Sequence, residues 1–136
     1  MAALPRRTTA TDPAALAAVV DNLGSAAFGG RLLTWLAPAL QAAHVTAFRF
    51  DAGLQARVVL TASAGGGSVA RRSAQVYAGS GLYRHDRLLT VLRQTAGGGA
   101  APAVLRMRRS DIVDAAYGTQ LWDRFGLVDR LSALNA

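Results

Sequence analysis

Tyr77, Tyr83, His85 and Asp86 fall within ten consecutive residues, and Tyr117 and Trp122 lie five apart further along the chain. Phenols and a carboxylate can hold the hydrogen-bonding end of a small ligand while the aromatic rings enclose its apolar part. His85 beside Asp86 also has the makings of an acid–base pair. Adjacent side chains do not orient one another, however, and a nucleophile is wanting: none of Ser68, Ser80 and Ser110 sits in a Gly-x-Ser-x-Gly elbow. Catalysis is therefore not expected. Two distant histidines, His44 and His85, with scattered aspartates and no cysteine offer no metal-ligand spacing. Gly65-Gly66-Gly67 and Gly97-Gly98-Gly99 lack the Gly-Lys-Ser/Thr ending of a phosphate loop and the Gly-x-Gly-x-x-Gly spacing of a dinucleotide fold. They read as joints, and the first could let the helix after it move as a lid. No cofactor is expected.

Each candidate has a structural reading beside the functional one. Asp86 can cap a helix through a backbone N–H or contact a ligand. Tyr77 falls on an apolar helix face, as a core residue or at a pocket rim. Tyr83, in a connector flanked by Gly81, can offer its hydroxyl over a hydrophobic floor. Trp122 has core spacing, and Tyr117 is open to either role.

The elements that must place these residues begin with Asp12 and Pro13, a helix start followed by Leu16, Val19, Val20 and Leu23 at helical spacing. A second helix is expected over 27–42, burying Phe28, Leu32, Leu36 and the flank of Trp35, bent or divided at Pro38. The period then becomes two over 45–50 and again over 57–62, an antiparallel hairpin with its turn at Asp51-Ala52-Gly53. Helices follow after Ser68 and after Asp86. A strand is expected over 103–107, and a helix after Asp111 and Asp114 that buries Leu121, Trp122 and Phe125 and stops at Gly126. Leu131 and Ala133 then alternate with their neighbours in a last strand, which lacks a later partner in this sequence.

The chain has 136 residues, 51% of them hydrophobic, enough for one core and too many for wholesale disorder. No apolar run reaches the roughly 20 residues of a membrane span, and no secretory signal follows Arg6 and Arg7, so a cytoplasmic protein is expected. Without cysteine there is no thiolate nucleophile, thiol-anchored chromophore or disulfide. The net charge of +7 comes from 15 arginines against 8 aspartates, with no lysine and no glutamate. Beyond Arg6-Arg7 the arginines cluster at Arg71-Arg72 and at Arg106 with Arg108-Arg109, and neither of these lies in an aromatic platform for stacking bases. Residues 1–11 read as a flexible lead-in and 12–136 as a single domain. The expected fold is mixed α/β (α+β): a small antiparallel sheet flanked by helices, apparently without its last strands.

The stretch 77–86, the run Ser110-Asp111-Ile112 with Tyr117 and Trp122, and Gly126-Leu127-Val128-Asp129-Arg130-Leu131-Ser132 resemble the N-terminal sensor domains of LuxR-type bacterial transcription regulators. The resemblance is diffuse and covers roughly residues 13–136. It implies a GAF/PAS-like domain that binds a small amphiphilic signal, such as an acyl-homoserine lactone in quorum sensing, and relays it to a DNA-binding helix-turn-helix domain absent from this chain. It further implies a homodimer, a signal cavity around Tyr77, Tyr83 and Trp122, and a ligand contact at Asp86. In the quorum-sensing branch proline follows that aspartate, and here Arg87 does. The alternatives are a ligand-free GAF-like dimerisation module using the first helix and the Leu32/Leu36 surface, and a basic nucleic-acid-binding domain.

Overall fold

The computed structural model describes residues 12–95 and 103–135; the lead-in over 1–11 and the Gly97–Gly99 joint lie outside the described residues. The observed elements are α1 (Pro13–Asp21), α2 (Phe28–Leu40), β1 (His44–Phe50), β2 (Ala56–Ser63), α3 (Val69–Gly79), α4 (Arg87–Thr95), β3 (Ala103–Arg108), α5 (Ala115–Tyr117) and β4 (Asp129–Leu134). The fold is mixed α+β, as the sequence patterns lead one to expect. Its strands are distributed over two two-stranded sheets, β1–β2 and β3–β4. The strand left without a later partner pairs backwards: β4 runs antiparallel to β3, with Ala103 opposite Leu134 and Arg108 opposite Asp129.

The chain forms two compact units, the first comprising Met1–Phe48 and Val58–Arg71, the second Arg49–Arg57 and Arg72–Ala136. In the first, Asp12 caps α1 by accepting from the Ala14 N–H, with Pro13 where no N–H is required. Of the apolar residues at helical spacing, Val19 alone is buried, while Leu16, Val20 and Leu23 stay exposed. Pro38 does not divide α2, whose buried side is Leu33, with Phe28, Leu32, Trp35 and Leu36 half-buried. Gly29 approaches β2 so closely that a Cβ there would sit 3.3 Å from the Thr61 carbonyl oxygen. The Ser63 hydroxyl meets His44 Nδ1 at 2.9 Å and accepts the Ala70 N–H at 3.0 Å.

The second unit holds most of the core. Along α3, Ser73, Ala74 and Tyr77 recur on one face and are buried. Gly81, at φ +77°, reverses the chain into a 3₁₀ turn, Leu82–His85, and Asp86 then caps α4. In β3 and β4 the alternation turns Met107, Arg130 and Leu134 away from solvent and leaves Val104 and Leu131 on the outer face. The apolar pair Leu131 and Ala133 is thus on the solvent side, and a charged residue takes the inner side. After α5 the chain continues as a π-helical stretch, Gly118–Asp123. Gly118 leaves room for the Arg109 guanidinium, which pairs with both carboxylate oxygens of Asp123 at 2.7 and 3.0 Å.

Candidate functional site

Asp86 is 3% exposed, and its carboxylate accepts four hydrogen bonds. The Tyr77 hydroxyl donates to Oδ2 at 2.7 Å and the Leu88 N–H to Oδ1 at 3.0 Å. Arg130 supplies the other two in bidentate geometry, Nη1 to Oδ2 at 2.7 Å and Nη2 to Oδ1 at 2.9 Å. A carboxylate offers about four lone-pair sites, so Asp86 has no acceptor to spare. Arg130 Nη1 also donates to the Tyr117 hydroxyl at 3.1 Å, Nη2 lies 3.1 Å from Met107 Sδ, and the guanidinium stands 5.8 Å from the Trp122 ring centroid. Its Nε is buried without a partner.

Local sequence explains how each group arrives. Asp86 leaves the 3₁₀ turn in extended conformation and caps α4, so its carboxylate is fixed at the helix entry. Tyr77 comes from the inner face of α3. Arg130 stands opposite Met107 in the β3–β4 register. Tyr117 and Trp122, five residues apart, would diverge on a regular α-helix; i→i+5 bonding stacks residues at that spacing on one side. The rings meet edge to face at 6.4 Å. Tyr77 lies 6.0 Å from Tyr83 and 6.4 Å from Tyr117, and Phe50 adds an edge contact to Tyr83 at 6.2 Å.

All five residues singled out in the sequence, Tyr77, Tyr83, Asp86, Tyr117 and Trp122, therefore converge in one buried cluster. Tyr117 and Trp122 are 0% and 1% exposed. The four aromatic residues pack on one another, and Asp86 is the one of the five that lines a cleft. This opening of about 530 Å³ is lined by residues 84–87 and 111–114, with Met107 and Thr90. His85 pairs with Asp114, Nδ1 to Oδ2 at 3.3 Å, and not with adjacent Asp86. A second cleft of about 470 Å³, in the first unit, is lined by Gly24, Ser25, Phe28, Gly29, Val59 and Thr61 among others and has no charged wall.

Electrostatics follow from this geometry. Burial pushes the Asp86 carboxyl up, but the hydrogen bonds and charge of Arg130, with the bonds from Tyr77 and Leu88, outweigh it and hold it below the usual carboxylate range. Burial, then the charge and hydrogen bond of Asp86, push the Tyr77 hydroxyl far up. Tyr117 is pushed up to about 12, burial first. Both phenols stay protonated near neutrality, as donors or acceptors rather than bases.

Arg130, Met107 and the His85–Asp114 pair were not singled out in the sequence. Arg130 enters the sequence pattern only within the run 126–132, and its signal there is an arginine in an alternating strand. Among the described residues no group of three or more potential metal ligands is present, and no helix is long and apolar enough to cross a membrane. No family model, curated protein or solved structure matches the chain.

Proposed function

We propose that this chain is a non-catalytic sensing domain of a LuxR-type transcription regulator, taking a small amphiphilic signal and relaying it to a DNA-binding domain on the same regulator. One observation carries the reading: Asp86 lines the cleft and is at the same time bound to Arg130 of β4. A ligand that settles against Asp86 and Met107 competes with, or compresses, the contacts that hold Arg130. Occupancy of the cleft is thereby coupled to the position of β4. Because all four acceptor sites of Asp86 are filled, a ligand donor cannot simply add to it; it must displace one of the present partners, and differential contact of this kind is what shifts a conformational equilibrium.

The test is a thermal-melt panel of small amphiphiles, acyl-homoserine lactones included, followed by amide hydrogen exchange. The reading expects at least one compound to raise the melting temperature as RT ln(1 + [L]/Kd) grows and to change protection along β4. In Arg130→Met the same compound still binds but the β4 response is lost. A panel with no stabilising compound rejects the reading.

The apolar edge of α1 favours a second reading, self-association. Val20 and Leu23 are 55% and 65% exposed, and Leu16 lies one turn before Val20 on the same side. Sedimentation of ligand-stripped protein tests it: a dimer that Val20→Asp converts to monomer supports an interaction module, and a monomer at all concentrations rejects it.

A further inference from the structure

The cleft of the second unit holds opposite charges that do not meet. Of its acids, Asp86 is spent on Arg130, and Asp114 is held by His85 and by the Tyr117 N–H that it caps at 2.8 Å. Asp111 accepts the Arg108 N–H through Oδ2 at 2.8 Å and is otherwise open to the cleft. Of its cations, Arg84 lies over its neighbour Tyr83 at 5.7 Å from the ring centroid. Among the described residues, neither Arg84 nor Arg87 has an ion-pair partner, and neither does Asp111. Arg84 and Arg87 thus bring positive charge to the cleft and Asp111 a carboxylate whose nearest countercharge is the more distant Arg106. The His85–Asp114 pair ties the two lining segments together at 3.3 Å, and Met107, Ile112 and Val113 supply the apolar surface.

From this arrangement we infer that the cleft receives a small zwitterion whose carboxylate and ammonium are held apart by an apolar body, as in a dipeptide or tripeptide with aliphatic side chains. The carboxylate meets Arg84 and Arg87, where guanidinium forks match its geometry. The ammonium meets Asp111, and the side chains lie on Met107, Ile112 and Val113. The size agrees: the volume of about 530 Å³ is in the range of small-molecule sites, and an extended chain gains roughly 3.3–3.6 Å per residue between its ends. A dianion is repelled by Asp111, and a dication by the two arginines. The inference rests on the sensing reading and names its ligand class.

L-Leucyl-L-leucine is the probe, titrated into the whole chain at low salt and followed by calorimetry and thermal melting. The expected result is saturable binding that raises the melting temperature, and that weakens roughly tenfold or more when either the amino group is acetylated or the carboxylate amidated. Arg87→Gln should lose the preference for the free carboxylate, and Asp111→Asn the preference for the free ammonium. Both positions are exposed, so the unliganded melting temperature of each variant serves as the control for folding. Equal binding of free and capped dipeptides, or none by the free form, overturns the inference. If an acyl-homoserine lactone stabilises the protein while the dipeptide does not, the zwitterion class falls and sensing stands; if neither does, both fall.

Discussion

The second unit buries the Asp86 carboxylate and the tyrosines Tyr77, Tyr83 and Tyr117 against the half-buried Arg130 guanidinium, whereas the first buries Val19, Leu33 and Ala70 and leaves Leu16, Val20, Leu23 and Leu40 at the surface. The two kinds of interior behave differently. A buried ion pair adds little net stability over apolar side chains of the same shape, because desolvation offsets its attraction. Removing one partner is costly, so the pair fixes which side chains can face one another. In the first unit the buried side chains are apolar, and apart from the hydrogen bonds of Ser63 with His44 and the Ala70 N–H their packing is not directional. Geometric specification by a buried carboxylate and its arginine belongs to the second unit.

The largest effect that tests this contrast is expected from Asp86→Ala, which strands Arg130 and the Tyr77 hydroxyl. Urea unfolding should show a loss of about 3–5 kcal/mol, while Leu23→Ala in the exposed turn after α1 changes stability by less than about 0.5 kcal/mol. Comparable losses at the two positions would erase the distinction. Tyr117→Phe comes next. It removes an acceptor from the Arg130 guanidinium, and the expected loss is about 1.5 kcal/mol, with the aromatic packing against Trp122 retained.

The pH profile sharpens the same point. The phenols of Tyr77 and Tyr117 have folded pKa values above their unfolded value near 10, so their contribution is complete below about pH 10 and fades as pH rises, for Tyr117 across about 10 to 12. Asp86 has the opposite sign: its folded value is depressed, so its contribution is complete above the unfolded value of about 4 and fades as pH falls through the folded one. Melts across this range should show stability lost at both ends, and Tyr117→Phe should flatten the alkaline limb. The smallest effect is expected at the exposed Arg106–Asp129 pair on the outer face of β3–β4, where Arg106→Ala should leave the melting temperature of the chain unchanged.

Much of this was legible where the physics is local. Asp12 with Pro13 and Asp86 each cap the helix that follows them, because capping needs only a side-chain oxygen and an N–H two residues on, whereas the capping box expected of Asp111 and Asp114 is not formed: Asp114 is itself the cap and Asp111 accepts the Arg108 N–H. The hairpin turn likewise announces itself at Asp51, whose carboxylate accepts the Gly53 and Gln55 N–H groups. The pairing of β4 with β3 and the Asp86–Arg130 contact, 44 residues apart, were not legible, since neither partner constrains the other within any short window. The period-two pattern in β4 pointed to Leu131 and Ala133 as its apolar face. The inner side went instead to Arg130, because a buried acid that already caps a helix has to be neutralised. The pattern over 115–125 is that of a helix burying Trp122, and nothing in it marks the π-helical stretch that brings Tyr117 and Trp122 to one side.

A double-mutant cycle joining Asp86→Asn and Arg130→Met, read by urea unfolding at neutral pH, bears most directly on the claim that the second unit is organised around this buried pair. The double variant should be more stable than the sum of the single losses allows, with a coupling of at least about 2 kcal/mol. Losses that add within about 0.5 kcal/mol would contradict it.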